Sequence, residues 1–340
     1  MGLPILFSEI LIGKRAQKNP INAMKFVARE SGAGEHWKFI GALGVLAGCL
    51  ILSFYSVIAG WCLSYVSDYV TAESLASSFE EANEKLNHLI NSPFTLIIWH
   101  TLFMLVTVVI VARGLKKGFE LATKFLMPVL FATLLLLVAH AIIVGDFSSS
   151  ISYLFEPDFS RLTSKTVLLA MGQAFFSLSI GMGAIMAYGS YLPTGISVGK
   201  CALSIAIADT SVALLAGLAI FPIVFAYGLE PAQGPGLVFV TLNVGFSEMA
   251  NGRFFGLVFF LLLTIAAWTS SISLIEPGIA WLSEVLEMSR KQASVFLGLI
   301  IWLVGLGSVF SFNLWSEFKL IGMNIFEIIE FSRIRESNFK

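Results

Sequence analysis

The sequence has little charge for its length. Only 13% of its 340 residues are charged, whereas 57% are apolar, and ordinary soluble domains carry roughly twice that charged fraction. So few charges cannot cover a water-facing surface, which excludes the soluble globular, disordered, collagen-like and coiled-coil classes. With 30 phenylalanines and a mean hydropathy of +0.85, the sequence predicts a polytopic membrane protein.

A basic excess, paired cysteines and enzyme motifs are also missing. The 21 basic and 22 acidic residues give a net charge of −1, so nothing supports nucleic-acid binding, which needs a basic field. Cys49 and Cys62 would lie about 20 Å apart along one helix, at ~1.5 Å per residue, which forbids a disulfide between them. No Ser-His-Asp order, Gly-rich phosphate loop or zinc spacing stands out. The sequence therefore does not favour an enzyme.

Long apolar runs dominate the chain. A membrane-spanning helix needs about 20 mostly apolar residues, and seven runs reach about that length. An eighth, 3–12, is too short to span and carries Glu9, so the chain is expected to begin partway through a membrane helix. The seven complete runs are 39–67, 94–112, 125–145, 166–192, 201–226, 254–282 and 293–312.

The loops between these runs predict an orientation. Thirteen Lys or Arg residues lie in loops 13–38, 113–124, 193–200 and 283–292, whereas the loops that alternate with them contain four. Because short cytoplasmic loops carry the basic excess, we predict that the thirteen lie in the cytoplasm. We call this the basic side of the protein and the other the opposite side.

Two long loops lie on the opposite side. Loop 68–93 contains an acidic stretch that fits a solvated helix face. Loop 227–253 contains Pro231 and Pro235 and can hardly form one regular helix. It is either a re-entrant or capping segment, or a plain linker.

One cluster of small and polar residues interrupts the run 166–192. Residues 175–183 read Phe-Phe-Ser-Leu-Ser-Ile-Gly-Met-Gly, where glycine disfavours a helix and serine offers competing hydrogen bonds. A helix break there would expose backbone groups to a cavity that binds a carboxylate or a cation. The alternative is close helix packing through the pairs Ser177/Gly181 and Ser179/Gly183.

Two further polar features lie at membrane depth. In the stretch 266–273, the carbonyl of Ala266 and the hydroxyls of Thr269 and Ser270 share a helix face and could bind Na⁺. Alternatively, those hydroxyls bond back to their own helix. Asp209 lies about nine residues into its span and needs a partner, a cation or a proton.

Together these stretches resemble the neurotransmitter:sodium symporter family, whose members include the bacterial leucine transporter. The similarity extends from Gly2 to about Phe331. Its most specific part, Gly-Gln-Ala-Phe-Phe-Ser-Leu-Ser-Ile-Gly-Met-Gly-Ala-Ile at 172–185, looks like the family's unwound sixth helix. Supporting matches are Arg-Gly-Leu-Lys-Lys-Gly-Phe-Glu at 113–120, Leu-Phe-Glu-Pro-Asp-Phe at 154–159 and Thr-Ser-Ser-Ile at 269–272.

The resemblance implies an all-α membrane bundle with an inverted-repeat transporter fold, forming a single membrane domain over 1–340. It also implies that the first helix and most of the tenth and later helices are missing. Residues 1–12 would be a remnant of the second helix, and 313–340 a tail with the start of a further helix. The first repeat would continue with 39–67, 94–112 and 125–145, and the second would comprise 166–192, 201–226, 254–282 and 293–312.

The resemblance also assigns site residues. Tyr55 matches the tyrosine that meets the substrate carboxylate, and Gly181 belongs to the unwound segment at the substrate. Ser177 and Asp209 match ligands of a first sodium site, and Ser177 also lies at the substrate site. The eighth-helix half of a second sodium site matches Ala266, Thr269 and Ser270. The side-chain pocket matches Ile51, Phe176, Ser179, Met182, Ser270 and Leu274.

The implied function is Na⁺-coupled symport of a hydrophobic or aromatic amino acid across the bacterial inner membrane. Its expected partners are the amino acid, Na⁺ and the lipid bilayer, without nucleic acid or an organic cofactor; the oligomeric state is left open. Asp209 replaces the family's usual Asn, and Ala213 replaces the Ser or Glu that sets chloride dependence, so chloride is not expected to be required. The alternative is a transport-dead membrane remnant of such a transporter.

Overall fold

The computed structural model describes residues 2–71, 76–114, 120–193, 195–228, 234–319 and 322–330. Within these ranges the chain is built from helices, of which six are long and apolar enough to cross a membrane. A π-helical turn, Gly236–Thr241, precedes α11. In chain order the α-helices are α1 (Gly2–Ala16), α2 (Pro20–Glu30), α3 (Lys38–Thr71), α4 (Phe79–Asn91), α5 (Pro93–Ala112), α6 (Leu121–Val144), α7 (Phe147–Phe155), α8 (Ser164–Ser177), α9 (Ala184–Ser190), α10 (Val198–Ala226), α11 (Leu242–Ser247), α12 (Gly252–Val285), α13 (Arg290–Ser311) and α14 (Ile325–Glu330).

The run 166–192 is not one continuous helix, and the other six apolar runs form uninterrupted helices of spanning length. It is divided between α8 and α9, with residues 178–183 between them. The backbone φ angles of Ser179, Gly181 and Gly183 are +54°, +82° and +73°, values that an α-helix cannot contain. The predicted break is therefore confirmed, and the alternative of a continuous helix packed through small residues is wrong.

Helices α3 and α12 pack along each other at the centre of the bundle. Aromatic side chains join their halves on the opposite side: the rings of Tyr65 and Tyr69 of α3 pack at a tilt against Phe260 of α12. The outer helices instead leave large apolar side chains exposed, such as Ile143 on α6 and Leu299 on α13. An apolar exterior around a packed interior suits lipid as the surrounding solvent.

The long loop 227–253 contains a buried capping segment, 236–247, and is not a plain linker. Phe239 and Phe246 are almost fully buried. The hydroxyl of Tyr65 donates to the carbonyl of Phe239 at 3.3 Å, and that of Tyr69 donates to Asn243 Oδ1 at 2.6 Å. Pro231 lies outside the described residues.

The acidic residues of loop 68–93 that lie in α4 form an exposed face, as predicted, whereas Asp68 lies near the end of α3, is half-buried and pairs with Lys85. Glu80, Glu81 and Glu84 are exposed. Two hydrogen bonds from Ser77, one from its hydroxyl and one from its amide, lower the pKa of Glu81. Glu73 lies outside the described residues.

On the basic side, one buried ion pair joins α12 to α13. Glu276, only 1% exposed, accepts hydrogen bonds from two nitrogens of Arg290. The hydroxyl of Tyr191, which follows α9, donates to Glu276 Oε1 at 2.8 Å, and Arg290 Nε donates to the carbonyl of Val111 at 3.0 Å. The pair therefore ties together the ends of α5, α9, α12 and α13.

Helix α9 packs directly against the backbone of α1. A Cβ atom added at Gly13 would lie 2.1 Å from the carbonyl oxygen of Met186, and one at Gly189 would lie 2.7 Å from the carbonyl oxygen of Ile10. Real Cβ atoms do not approach backbone oxygen this closely. The two glycines therefore permit the contact that holds α9 in place.

Gly13→Ala is expected to destabilise the protein by about 1–3 kcal/mol, because an added methyl group in a filled contact forces the backbone to shift. The midpoint of thermal unfolding in detergent micelles measures this. Gly199→Ala is the matched control, since its Cβ would meet nothing closer than a Phe7 ring atom at 3.8 Å. Equal midpoints for the two variants would show that α1 and α9 are not in close contact.

Glu276→Ala is expected to lower the free energy of unfolding by about 2–4 kcal/mol, because it leaves the Arg290 guanidinium unpaired. This loss is slightly smaller than for a fully buried ion pair, since the Arg290 side chain is 23% exposed and water can partly solvate it. The control is Glu30→Ala, which breaks an ion pair of two exposed side chains with Arg15 and should change the thermal midpoint little. A control effect as large as that of Glu276→Ala would contradict this interpretation.

Candidate functional site

The break between α8 and α9 is held by a carboxylate from α1. The backbone amide of Gly181 donates to Glu9 Oε1 at 2.7 Å, and Glu9 is 7% exposed. Such a bond satisfies an amide that the interrupted helix leaves free. This role of Glu9 is not predicted from the sequence, although an acidic residue in an apolar run is a signal for it.

Glycines of α3 bring its backbone close to the break and to α12. A Cβ at Gly44 would lie 2.9 Å from the carbonyl oxygen of Gly181, and one at Gly48 would lie 3.1 Å from that of Leu274. The unwound segment therefore lies directly against the backbone of α3, which also packs closely on α12. Its irregular shape is fixed by packing as well as by its own sequence.

A cleft of about 320 Å³ opens beside the break, between α8, α9, α10 and α12. Five predicted site residues line it and bring hydroxyl or carboxylate oxygens: Ser177, Ser179, Asp209, Thr269 and Ser270. The remaining lining residues are Met127, Leu178, Ala184, Ile185, Tyr188, Ile205 and Ser273. A mainly apolar cleft into which a few oxygen-bearing side chains project is the expected form of a small-molecule or ion site.

Asp209 is paired with Ser177 across the cleft. The Ser177 hydroxyl donates to Asp209 Oδ2 at 2.8 Å, although the two residues come from different helices. Ser177 is also the last residue of α8, so the negative end of that helix dipole lies beside the carboxylate. In the described part of the chain no basic side chain forms an ion pair with Asp209. The local field therefore favours a cation.

The α12 stretch places its oxygens side by side. Thr269 Oγ1 donates to the carbonyl of Ala266 at 2.8 Å, and Ser270 on the next position lines the cleft with Thr269. The first bond has the geometry of ordinary helix back-bonding, and it also holds two oxygen atoms next to each other. The Ser270 hydroxyl lies close to the Tyr55 hydroxyl.

The apolar residues predicted for the substrate pocket fall into two groups. Met182 and Leu274 are buried in one apolar cluster, against which Ile51 and Tyr55 are partly buried. Phe176 is 47% exposed and is not part of this cluster. Tyr55 therefore lies between this apolar cluster and Ser270, which lines the cleft.

Two cleft residues were missed by the sequence analysis. The Tyr188 hydroxyl donates to Ser273 Oγ at 2.8 Å, and both residues line the cleft. A signal was present in the spacing, because Tyr188 and Tyr191 are three residues apart, as are Ser273 and Glu276. Equal spacing on two facing helices predicts two stacked contacts.

Comparison with known proteins gives concordant matches. The family model described as "Sodium:neurotransmitter symporter family" matches residues 71–327. The uncharacterized sodium-dependent transporter YhdH of Bacillus subtilis (strain 168) is 36% identical over 98% of this chain and 73% of its own length. An uncharacterized sodium-dependent transporter of Haemophilus influenzae is 33% identical over 98% of this chain and 74% of its own length.

The fold has a close counterpart among solved structures. The crystal structure of MhsT in complex with L-phenylalanine matches with a TM-score of 0.87 and 42% identity, over 97% of this chain and 75% of that one. Six apolar helices of spanning length and the broken helix agree with that architecture. The chain is therefore an integral, multi-pass membrane protein that belongs to the sodium:neurotransmitter symporter family.

Proposed function

We propose that the protein couples Na⁺ entry to the uptake of a hydrophobic or aromatic amino acid across the bacterial inner membrane. The observation that carries the proposal is the Ser177–Asp209 pair, which lines one cleft with Thr269 and Ser270 beside a broken helix. Relatives that are named sodium-dependent transporters support Na⁺ as the coupling ion. MhsT, whose structure holds L-phenylalanine, supports the substrate class.

The first sodium site uses Ser177 and Asp209. Their oxygens already face each other, and the carboxylate supplies a full negative charge at membrane depth, where a cation lowers the cost of burying it. The carbonyl end of α8 adds to the same field. Because Asp209 brings a carboxylate to the site, the site does not need chloride for charge balance.

The second sodium site uses the carbonyl of Ala266 with the hydroxyls of Thr269 and Ser270. Neutral oxygens grouped on one helix turn suit a small hard cation, which needs several oxygen ligands. Thr269 Oγ1 keeps its lone pairs available when its proton is donated to the Ala266 carbonyl. Both oxygens can then point towards one ion.

The amino acid lies between the cleft and the apolar cluster. Tyr55 binds its carboxylate, and Ile51, Met182, Leu274 and Phe176 meet its side chain. These four residues bring apolar surface without a fixed charge, and flexible methionine adapts to more than one shape.

The unwound segment shapes the substrate site. Ser179 lines the cleft, while Gly181 contributes its left-handed backbone. The amide of Gly181 is already bonded to Glu9 and does not bind substrate directly.

Labelled leucine is expected to bind the purified protein in Na⁺ but not in K⁺, and Leu, Trp and Tyr should displace it better than Lys and Glu. The apolar lining lacks a partner for a charged side chain, which sets this order. Competition binding measures it, and Asp209→Ala should abolish the Na⁺-dependent signal. A preference for charged or very small amino acids would contradict the proposed substrate class.

Uptake into proteoliposomes separates the proposal from its alternative. An inward Na⁺ gradient should drive accumulation, and replacing chloride by gluconate should not change it. Na⁺-dependent binding without accumulation would instead favour a transport-dead remnant.

Changing Thr269 and Ser270 together to Ala should raise the Na⁺ concentration needed for half-maximal amino-acid binding by at least about tenfold. The double variant removes two oxygen contacts to a charged group, and a combined loss of about 1.4 kcal/mol already corresponds to tenfold. The control is the pair Thr264→Ala and Ser271→Ala on the same helix, whose hydroxyls are buried and do not line the cleft. Unchanged Na⁺ dependence in the first variant would mean that its hydroxyls are ordinary helix back-bonds.

A further inference from the structure

Two tyrosines tie α9 to α12 on the basic side of the cleft. Tyr188 donates to Ser273 Oγ, and Tyr191 donates to Glu276 Oε1, each at 2.8 Å. The partners are three residues apart on both segments, so the two bonds lie one above the other. The Tyr191 bond belongs to the ion pair with Arg290, whereas the Tyr188 bond lies at the cleft itself.

The Tyr188 bond continues into the proposed sodium-binding stretch. Ser273 Oγ donates to the carbonyl of Thr269 at 3.1 Å, and Thr269 Oγ1 donates to the carbonyl of Ala266 at 2.8 Å. The single proton of Ser273 is used in its bond to Thr269, so Ser273 accepts from Tyr188. A continuous chain of hydrogen bonds therefore runs from α9 to two proposed sodium ligands.

Helix α9 is short enough for one such bond to affect its position. It has seven residues, begins at a left-handed glycine, and is packed on its other side against α1 at Gly13 and Gly189. If α9 moved away from α12, the hydroxyls of Tyr188 and Ser273 would lose each other in a poorly hydrated interior, which carries a free-energy penalty.

We propose that Tyr188 and Ser273 are positioning residues that link α9 to the sodium-binding stretch of α12, so that Na⁺ binding there holds α9 against α12. The inference rests on the proposed function, because it assumes the second sodium site. Na⁺ fixes Ala266 and Thr269 in one geometry, and Thr269 carries the carbonyl to which Ser273 is bonded. By thermodynamic reciprocity, a bond that lets Na⁺ stabilise the docked helix must also increase the affinity for Na⁺.

Hydrogen–deuterium exchange of the α9 amides tests this link. In the unmodified protein, replacing K⁺ by Na⁺ at constant ionic strength should slow exchange over Ala184–Ser190. In Tyr188→Phe and Ser273→Ala, the Na⁺ concentration for half-maximal protection should rise about fivefold, the factor that one hydrogen bond of typical strength represents. A purely structural role would not move this concentration.

Two controls make the result specific. Ser273→Thr keeps the hydroxyl and should retain the unmodified Na⁺ dependence. Ser271→Ala removes a buried hydroxyl of the same helix that has no hydrogen-bond partner among the described residues, and it should behave like the unmodified protein. Thermal unfolding identifies any variant that does not fold. If Tyr188→Phe does not fold, Ser273→Ala alone provides the test.

The possible outcomes distinguish the proposed link between α9 and Na⁺ from the proposed function. If Na⁺ leaves α9 exchange unchanged in the unmodified protein while amino-acid binding is Na⁺-dependent, the link is wrong and the proposed function stands. If neither responds to Na⁺, both are wrong. If α9 responds in the unmodified protein and equally in both variants, Tyr188 and Ser273 are not the positioning residues.

Discussion

A backbone inside a bilayer must have its amides and carbonyls hydrogen-bonded, and this constraint governs the architecture around the break in the membrane run 166–192. Between α8 and α9 the chain leaves the α-helix over residues 178–183 and loses part of the regular helical hydrogen bonding. The loss is tolerated because protein surrounds the segment: Glu9 accepts from the Gly181 amide, and the backbone of α3 lies against it at Gly44. Without these neighbours the unpaired groups would cost several kcal/mol each in hydrocarbon.

The same break creates the electrostatic character of the cleft. Because α8 ends at Ser177, its carboxyl terminus and the Ser177 hydroxyl lie next to Asp209. The oxygen atoms and the negative end of the helix dipole both favour a cation. On the facing helix, α12 contributes only neutral oxygens. The cleft thus contains a charged region and an uncharged region, which is the physical basis for proposing two sodium sites of different chemistry.

Coupling between those sites and the rest of the protein depends on short contacts between helices. Glycines let α9 touch α1 directly, and hydrogen bonds from Tyr188 and Tyr191 attach its other side to α12. The buried Glu276–Arg290 pair anchors the Tyr191 contact just after α9, whereas the beginning of α9 lies beside the cleft. A short helix fixed in this way is suited to respond to what binds next to its first turn.

The sequence by itself determined the membrane class, the apolar runs, the break and the depth of Asp209, because these depend on local composition and on the free energy of transfer into lipid. It also identified five of the oxygen-bearing residues that line the cleft. Hydropathy alone grouped the run 166–192 with the uninterrupted ones, since it does not register a backbone that leaves the helix, whereas the serines and glycines of 175–183 predicted the break. Only the tertiary structure decided that Glu9 meets Gly181, that Ser177 meets Asp209 and that Tyr188 meets Ser273. Those partners lie 172, 32 and 85 residues apart, and which side chains meet over such distances is set by how whole helices pack.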